Sequence, residues 1–496
     1  MKPRPYQPGA MALALCASML AACAGVPPAS PAPTVTVPET LADSPPARGA
    51  LGLSWWARYR EPALDALVDE ALANNRDLRV ASAHLLQARA MLGGAQAERL
   101  PDTEVAGGVG AGSTLQDQID AASRSSDRVR SGLRYDLDTE VSWEWDLFGR
   151  LRSNVLAAKA DVQASLALED GVRIAVAAGV TDAWLRACGD AQRMDVARQS
   201  LGLRQRRREL VQRVWRAGAG EPVDVPRAEA MVAQGEAVLP TLEAARHDAL
   251  VELAVLAGRG PDDIPPAAIA CRHLPAMDAT VPLGDGLALL RRRPDIRVAE
   301  KQLEASTARI GIAVASLYPR VSLGAGWADS SPTASGLSAR NNAVWRIGPL
   351  LSWSFPNRSA ARARIAQSRA GEAAALANLD ATMLRAFKEV NQASEDYDAV
   401  LRRQGALERV AERRAAARQV VQRQREQGAA TVLQVLDAES AEIDARADLA
   451  AIQTEAARAQ VFLFKALGGG WEDAPDITLP DRQHVTSPVI PSPVTK

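Results

Sequence analysis

Proline is absent from Asn357 to Ala474 and again from Thr103 to Glu221. Within the later stretch, Ser359–Arg425 is dense in Ala, Arg, Gln, Glu and Leu, the residues that lose least on entering a helix. It predicts one very long helix to Gln427, a break at Gly428-Ala429-Ala430 and a returning helix from Thr431 to about Leu467. At ~1.5 Å per residue such a helix runs roughly 100 Å. That exceeds an ordinary domain, so it has to lie along other helices.

The earlier stretch is a second copy. A helix predicted from Phe148 to Arg216 breaks at Gly218 and Gly220 and resumes after Pro222. At one constant offset Trp143 matches Trp353, Arg152 matches Arg362, Gly218 matches Gly428 and Val225 matches Val435. The preceding segments repeat too, Asp77–Ala81 with Asp295–Ala299 and Pro101 with Pro319. This is duplication of a structural unit. Phe148–Arg216 is about as long as Pro222–Ala257 and Leu287–Tyr318 together, so two half-length helices are expected to stack end to end beside each full-length one.

Composition narrows the function. The net charge is -1, which offers no basic field for nucleic acid. His84, His247, His273 and His484 lack zinc spacing, and no Walker, Gly-x-Ser-x-Gly or CxxC motif occurs. Gly107–Gly112 lacks the spacing of a dinucleotide loop and reads as part of a weak strand over Thr103–Ser113. No apolar run after residue 25 reaches the ~18 residues of a spanning helix, so a bilayer would have to be crossed by strands.

Leu133–Leu147 alternates over its whole length. Leu133, Tyr135, Leu137, Thr139, Val141, Trp143 and Trp145 share one face, and Arg134, Asp136, Asp138, Glu140, Ser142, Glu144 and Asp146 the other. This is the pattern of a membrane barrel strand, apolar outward and polar toward water. Residues 114–132 read as an exposed loop, and helices are expected over Pro62–Arg99 and Leu287–Tyr318. Val321–Ala328 is a third strand. Trp345, Ile347, Leu351, Trp353 and Phe355 mark a fourth, where Pro349 suits an edge. Four strands cannot close a barrel, and a bilayer forbids open edges, so the chain is expected to oligomerise; three copies give twelve strands.

The organisation expected is a signal peptide over 1–22, a lipidated Pro-rich tether over 23–53, a first repeat over 54–257, an equatorial connector over 258–286, a second repeat over 287–470 and a disordered tail over 471–496. Leu20-Ala21-Ala22-Cys23 resembles a bacterial lipoprotein signal, with Cys23 carrying the lipid and Ala24 directing outer-membrane sorting. Cys188 and Cys271 read as structural free thiols in preference to a disulfide, which the periplasm would permit.

Ser54–Pro62, Arg291–Glu300 and Ala308–Pro319 carry a specific resemblance to the outer-membrane efflux proteins, the TolC-like outer-membrane factors, and within them to NodT-type lipoproteins that serve proton-driven pumps of the RND type. The resemblance covers about residues 54–470. It implies a mainly α chain with membrane β-structure: a homotrimer with a twelve-stranded outer-membrane barrel in outer-membrane lipid and a long periplasmic helical barrel. It further implies docking on a periplasmic adaptor joined to an inner-membrane pump, and a conduit with no cofactor and no chemistry. Two other readings are a channel for type I protein secretion and a non-channel coiled-coil adaptor.

The family's periplasmic gate uses aspartates on the returning helices. Those positions are Gln434 and Asp437 here, with Asp224 the first-repeat counterpart of Gln434; Ala430 replaces a tethering Arg. Gln434 departs from the family, and Thr431-x-x-Gln434 is also a capping box. Asp224 sits in a first turn where an acid is favoured anyway. Asp437 has no such local reason and is the foremost gate candidate. Gly218 and Gly428 read as helix C-caps and as the bare tips against which an adaptor packs. Asp136, Asp138, Glu140 and Glu144 would line the lumen, either to disfavour anions or simply because a wet lumen is polar.

Overall fold

The computed structural model describes residues 29–36, 54–276, 281, 292–337, 343–353 and 358–469. The signal peptide, Cys23, most of the tether, Leu287, Phe355 and the tail lie outside them. In chain order the described elements are α1 (Pro62–Asn74), α2 (Arg76–Ala97), β1 (Asp102–Gly112), α3 (Leu115–Ser123), β2 (Gly132–Glu144), α4 (Arg150–Arg216), α5 (Asp224–Leu256), α6 (Pro266–Ala270), α7 (Pro294–Ala315), β3 (Arg320–Ser331), β4 (Ala343–Ser352), α8 (Arg358–Glu426) and α9 (Val432–Ala466). None of the described helices is long and apolar enough to cross a membrane. The chain divides into two compact units, each drawing on both copies of the repeat.

The first unit comprises Met1–Pro33, Leu86–Ala164 and Ala299–Leu379. Its centre is one antiparallel sheet in the order β1-β2-β3-β4. β2 and β3 join the two copies, with Tyr135 opposite Ser331 and Glu144 opposite Ser322. β4 is an edge, which is where Pro349 can sit without breaking a ladder. β2 stops at Glu144, short of the expected Leu147, because Asp146 turns to cap α4. Its carboxylate accepts from the Leu151 amide at 3.0 Å and the Arg152 amide at 2.7 Å. Residues 114–132 are not all loop: α3 forms there, closed by a capping box between Thr114 and Asp117.

The second unit comprises Thr34–Leu85, Ser165–Val298 and Asp380–Lys496. Its α4 and α9 segments lie antiparallel, as four pairings show: Arg207 with Asp437, Arg446 with Gln199, Gln192 with Gln453 and Arg458 with Asp182. α5 returns along α4, its Leu256 reaching Gly179, and the start of α7 takes over at Gly171 beside Pro294. The half-length helices therefore follow one another along α4. The core is aliphatic and Ala-rich, with Leu64, Leu78, Trp184, Leu185, Leu253, Ile452 and Leu463 almost fully buried. Trp55 stacks on Phe464 with ring centroids 4.9 Å apart.

Two expectations fail in this unit. Pro62–Arg99 is not one helix: Asn75 takes ψ 137° between α1 and α2. Its side chain donates to the Leu256 carbonyl at 2.9 Å and accepts from the Leu78 amide at 3.0 Å. Cys188 and Cys271 are joined in a disulfide. The connector after α6 folds back over α4, where Leu274 also donates to Gln192, and this brings together two cysteines distant in sequence. An oxidised pair suits the periplasm or another oxidising compartment.

Asp170 is the most perturbed carboxyl of the long helices. Burial pushes it up to about 6, against the pull of Arg297 at 3.2 Å and of Arg173. A raised carboxyl binds more protons folded than unfolded between about pH 4 and 6, so its contribution to stability falls as pH rises through that window. Asp170→Asn stays neutral throughout. Its melting temperature relative to the wild type should rise from pH 4.5 to pH 7.5, and a difference that stays flat across that range would contradict the assignment. A methyl group on Gly189 would overlap Thr454 Oγ1 and lie 2.7 Å from its Cγ2. Gly189→Ala should therefore destabilise by about 1–3 kcal/mol, as core overpacking does. Thr454→Ala in the same chain should restore most of the loss in thermal melts.

Candidate functional site

Residues directly opposite in antiparallel strands share a face. The register gives one face Val105, Val109, Leu133, Leu137, Val141, Trp143, Leu323, Trp327, Trp345, Ile347 and Leu351. Most of these are open in the single chain, Trp345, Ile347 and Leu351 to about 70%. So large an apolar patch marks a surface made for lipid or protein. The other face carries Asp136, Asp138, Glu140 and Glu144, all from β2. Beside them β1 places Glu104 opposite Glu140, together with Ala106, Gly108 and Gly110, while β3 places Ser322, Gly324, Gly326 and Ala328. Most of the acids of this face thus rise from β2, flanked by mainly small residues on β1 and β3.

Three ion pairs set this face. Arg346 of β4 reaches across Gly326 to Glu140 at 2.8 Å. A Cβ on Gly326 would sit 3.1 Å from Arg346 Nε, so the bare position is what lets the guanidinium pass over the intervening strand. Glu144 binds Arg150 through both oxygens, at 2.9 and 2.8 Å. Arg134 pairs with Asp117 of the α3 capping box. The Glu140–Arg346 pair is mostly exposed and contributes little, under about 1 kcal/mol.

The turns between the long helices and their returns are built alike. Gly218 and Gly428 both have φ +74°. Gly218 donates to Trp215 and Ala219 to Val214; Gly428 donates to Arg425 and Ala429 to Gln424. These are Schellman caps, in which the left-handed residue avoids any Cβ strain. Neither glycine has an atom within 4 Å of a built Cβ, so both turns are bare. Val214, Trp215, Val223, Val432 and Leu433 stand exposed beside them.

The gate candidates occupy different local settings. Gln434 closes the capping box with Thr431, accepting from its amide at 2.8 Å. Asp224 opens α5 and lies 3.9 Å from Arg227. Asp437 is half exposed and pairs with Arg207 of α4. The geometry joins Asp437 to a cation on a neighbouring helix of its own chain. Sequence reading missed Arg207 because it stands in an arginine-rich run, Arg204 to Arg208, in which no spacing singles it out. Among the described residues no group of acids, histidines or cysteines is arranged to hold a metal ion.

The family model for outer membrane efflux proteins matches residues 67–259 and 288–469. The pyoverdine export outer membrane protein OpmQ of Pseudomonas putida is 29% identical over 428 residues, 85% of this chain and 89% of that protein. Outer membrane protein OprJ of Pseudomonas aeruginosa is 30% identical over 422 residues, 85% and 87% of the two chains. The solved structure of the outer-membrane channel OprN superposes with a TM-score of 0.79 at 32% identity, covering 90% of this chain and 99% of that one.

Proposed function

This chain belongs to the outer membrane efflux protein family, and we propose that it is the exit duct of a tripartite pump that moves drugs or other small molecules from an inner-membrane RND-type transporter to the exterior. It is an outer-membrane protein of the channel type. The observation that carries the finer reading is the two-faced sheet. Its apolar face is open, and its outer strands β1 and β4 have unpaired edges. In hydrocarbon such edges cost several kcal/mol per unsatisfied group, so neighbouring copies must pair with them. Three chains supply twelve strands, an even number that closes antiparallel and encloses a watery lumen. The acidic face of β2 then lines that lumen.

In this reading the lipid on Cys23 adds a second hold on the outer membrane. The bare turns at Gly218 and Gly428 receive the helical tips of a periplasmic adaptor, with the exposed Trp215 and Leu433 as apolar contacts. Asp437 acts as a gate residue through its pair with Arg207, which holds α9 against α4 until the tunnel opens. Gln434, as a neutral cap, gives this level one anionic ring fewer than the family has. The protein itself selects no substrate and does no chemistry; selection lies with the pump.

The assembly is tested on outer-membrane fractions. A trimer that survives mild detergent and dissociates on heating is expected, and a detergent-free soluble monomer would end the proposal. For the gate, Asp437→Ala and Arg207→Ala should each raise single-channel conductance in planar bilayers several-fold. The exchanged pair, Asp437→Arg with Arg207→Asp, should return it toward the wild-type value. Equal conductance in all four proteins would remove Asp437 from the gate.

A further inference from the structure

β1 and β4 are the edges that the trimeric reading brings together, and the register inside the chain limits how they can meet. Opposite residues define one row straight across the sheet: Asp102, Ser142, Gly324 and Gly348. Asp102 is the first residue of β1, whereas residues 349–352 of β4 continue past Gly348. The strand ends thus slip along the row. Closure needs such a slip, because barrel strands tilt by roughly 35–45°. Four strands ~4.8 Å apart cover ~19 Å of circumference, and at ~3.3 Å per residue that tilt amounts to about four to six residues of advance per chain.

Facing residues in a ladder share a face, so the advance is even, which leaves the lower and the upper value. The lower places Ser352 opposite Asp102 of the partner subunit and Arg346 opposite Gly108 of the partner subunit. The upper places Ser352 opposite the partner's Glu104 and Arg346 opposite the partner's Gly110. Charge decides between them. Within the sheet Gly108 stands opposite Asp136, and Gly110 opposite Arg134. The lower value therefore sets an acid beyond a bare glycine, and the upper sets a like charge there.

Inside its own chain Arg346 already makes a reach of this kind, over Gly326 to Glu140 at 2.8 Å. Gly108 is at least as open, with no atom within 4 Å of a built Cβ. The Arg346 side chain is mostly exposed. A swing to the other side of β4 spans the same two strand spacings, ~10 Å. On the apolar face the same register puts Trp345 beside Val109 of the partner subunit, an aromatic and β-branched pair of the kind that stabilises ladders.

We propose that β4 pairs with β1 of the partner subunit in the register that sets Arg346 opposite the partner's Gly108, and that Arg346 is the positioning residue of this seam, taking either its own Glu140 or Asp136 of the partner subunit. The proposal rests on the reading of the chain as one sector of a trimeric barrel. Slippage to the upper value is opposed because it sets Arg346 against the partner's Arg134.

The experiment uses three full-length chains that carry Val344→Cys together with Gly108→Cys, Gly110→Cys or Gly112→Cys, oxidised in isolated outer membranes and run on non-reducing gels. All three glycines are open to a side chain. Positions on β1 and β4 of one chain are three strand spacings apart, ~14 Å, so a disulfide between them has to join two chains. Val344 faces Gly110 in the proposed register, and that variant should give covalent trimer at about five times or more the yield of the other two, whose cysteines lie diagonally. Highest yield with Gly108→Cys or Gly112→Cys overturns the register while leaving the trimer intact. No cross-link in any of the three, from chains that still run as a heat-dissociable trimer, overturns the seam. A detergent-free monomer ends the trimeric reading and the seam with it. For Arg346, Asp136→Asn should lower the temperature at which the trimer dissociates by several degrees in the wild type and leave it unchanged in Arg346→Gln. An equal shift in both backgrounds removes Arg346 from the seam.

Discussion

The unpaired edges of a four-stranded sheet govern this molecule. β1 and β4 each have one neighbour, and the face they share with β2 and β3 is covered with Val, Leu, Ile and Trp. In water an exposed edge with an apolar face invites aggregation; in hydrocarbon it is untenable, because no solvent satisfies the free amides and carbonyls. Both problems have the same solution, a neighbouring strand on each side and lipid on the apolar face. The single chain is accordingly a sector of a larger object. Its polar face sets an acidic strand between glycine-rich ones.

The helices follow a different rule, close approach. The core face of α4 in the second unit is built from Ala177, Ala178, Ala183, Ala187 and Ala191 around Trp184 and Leu185. Small residues let long helices touch along their length, and at Gly189 the approach of Thr454 leaves no room for a Cβ. Polar pairs run along the whole contact between α4 and α9, from Arg458 on Asp182 through Gln192 on Gln453 and Arg446 on Gln199 to Arg207 on Asp437. Apolar close packing is hard to part without leaving voids, whereas exposed ion pairs exchange readily with water.

Partner choice also changes what a carboxylate does. An isolated ring of Asp437 side chains would repel itself and draw cations. An Asp437 paired with Arg207 has its charge offset by a cation on a neighbouring helix of its own chain. Asp170 shows the opposite balance, since burial outweighs its arginine neighbours and favours the protonated form. Residue type alone does not distinguish these cases; exposure and the nearest cation do.

Much of what short-range spacing sets was legible in the chain. The absence of proline and the Schellman glycines fixed the long helices to within two residues at Gly218 and Gly428, because only glycine tolerates that backbone cheaply. The alternation along Leu133–Trp143 fixed which residues of β2 share a face. The Thr114–Asp117 cap was equally local and was overlooked among polar residues. What the sequence could not hold was any pairing between distant residues: β2 beside β3, Cys188 with Cys271, Arg207 with Asp437, Thr34 on Asp380. Periodicity records which face of an element is buried and says nothing about which partner buries it. Those partners are chosen by how long helices settle against one another, and only the tertiary structure decides that.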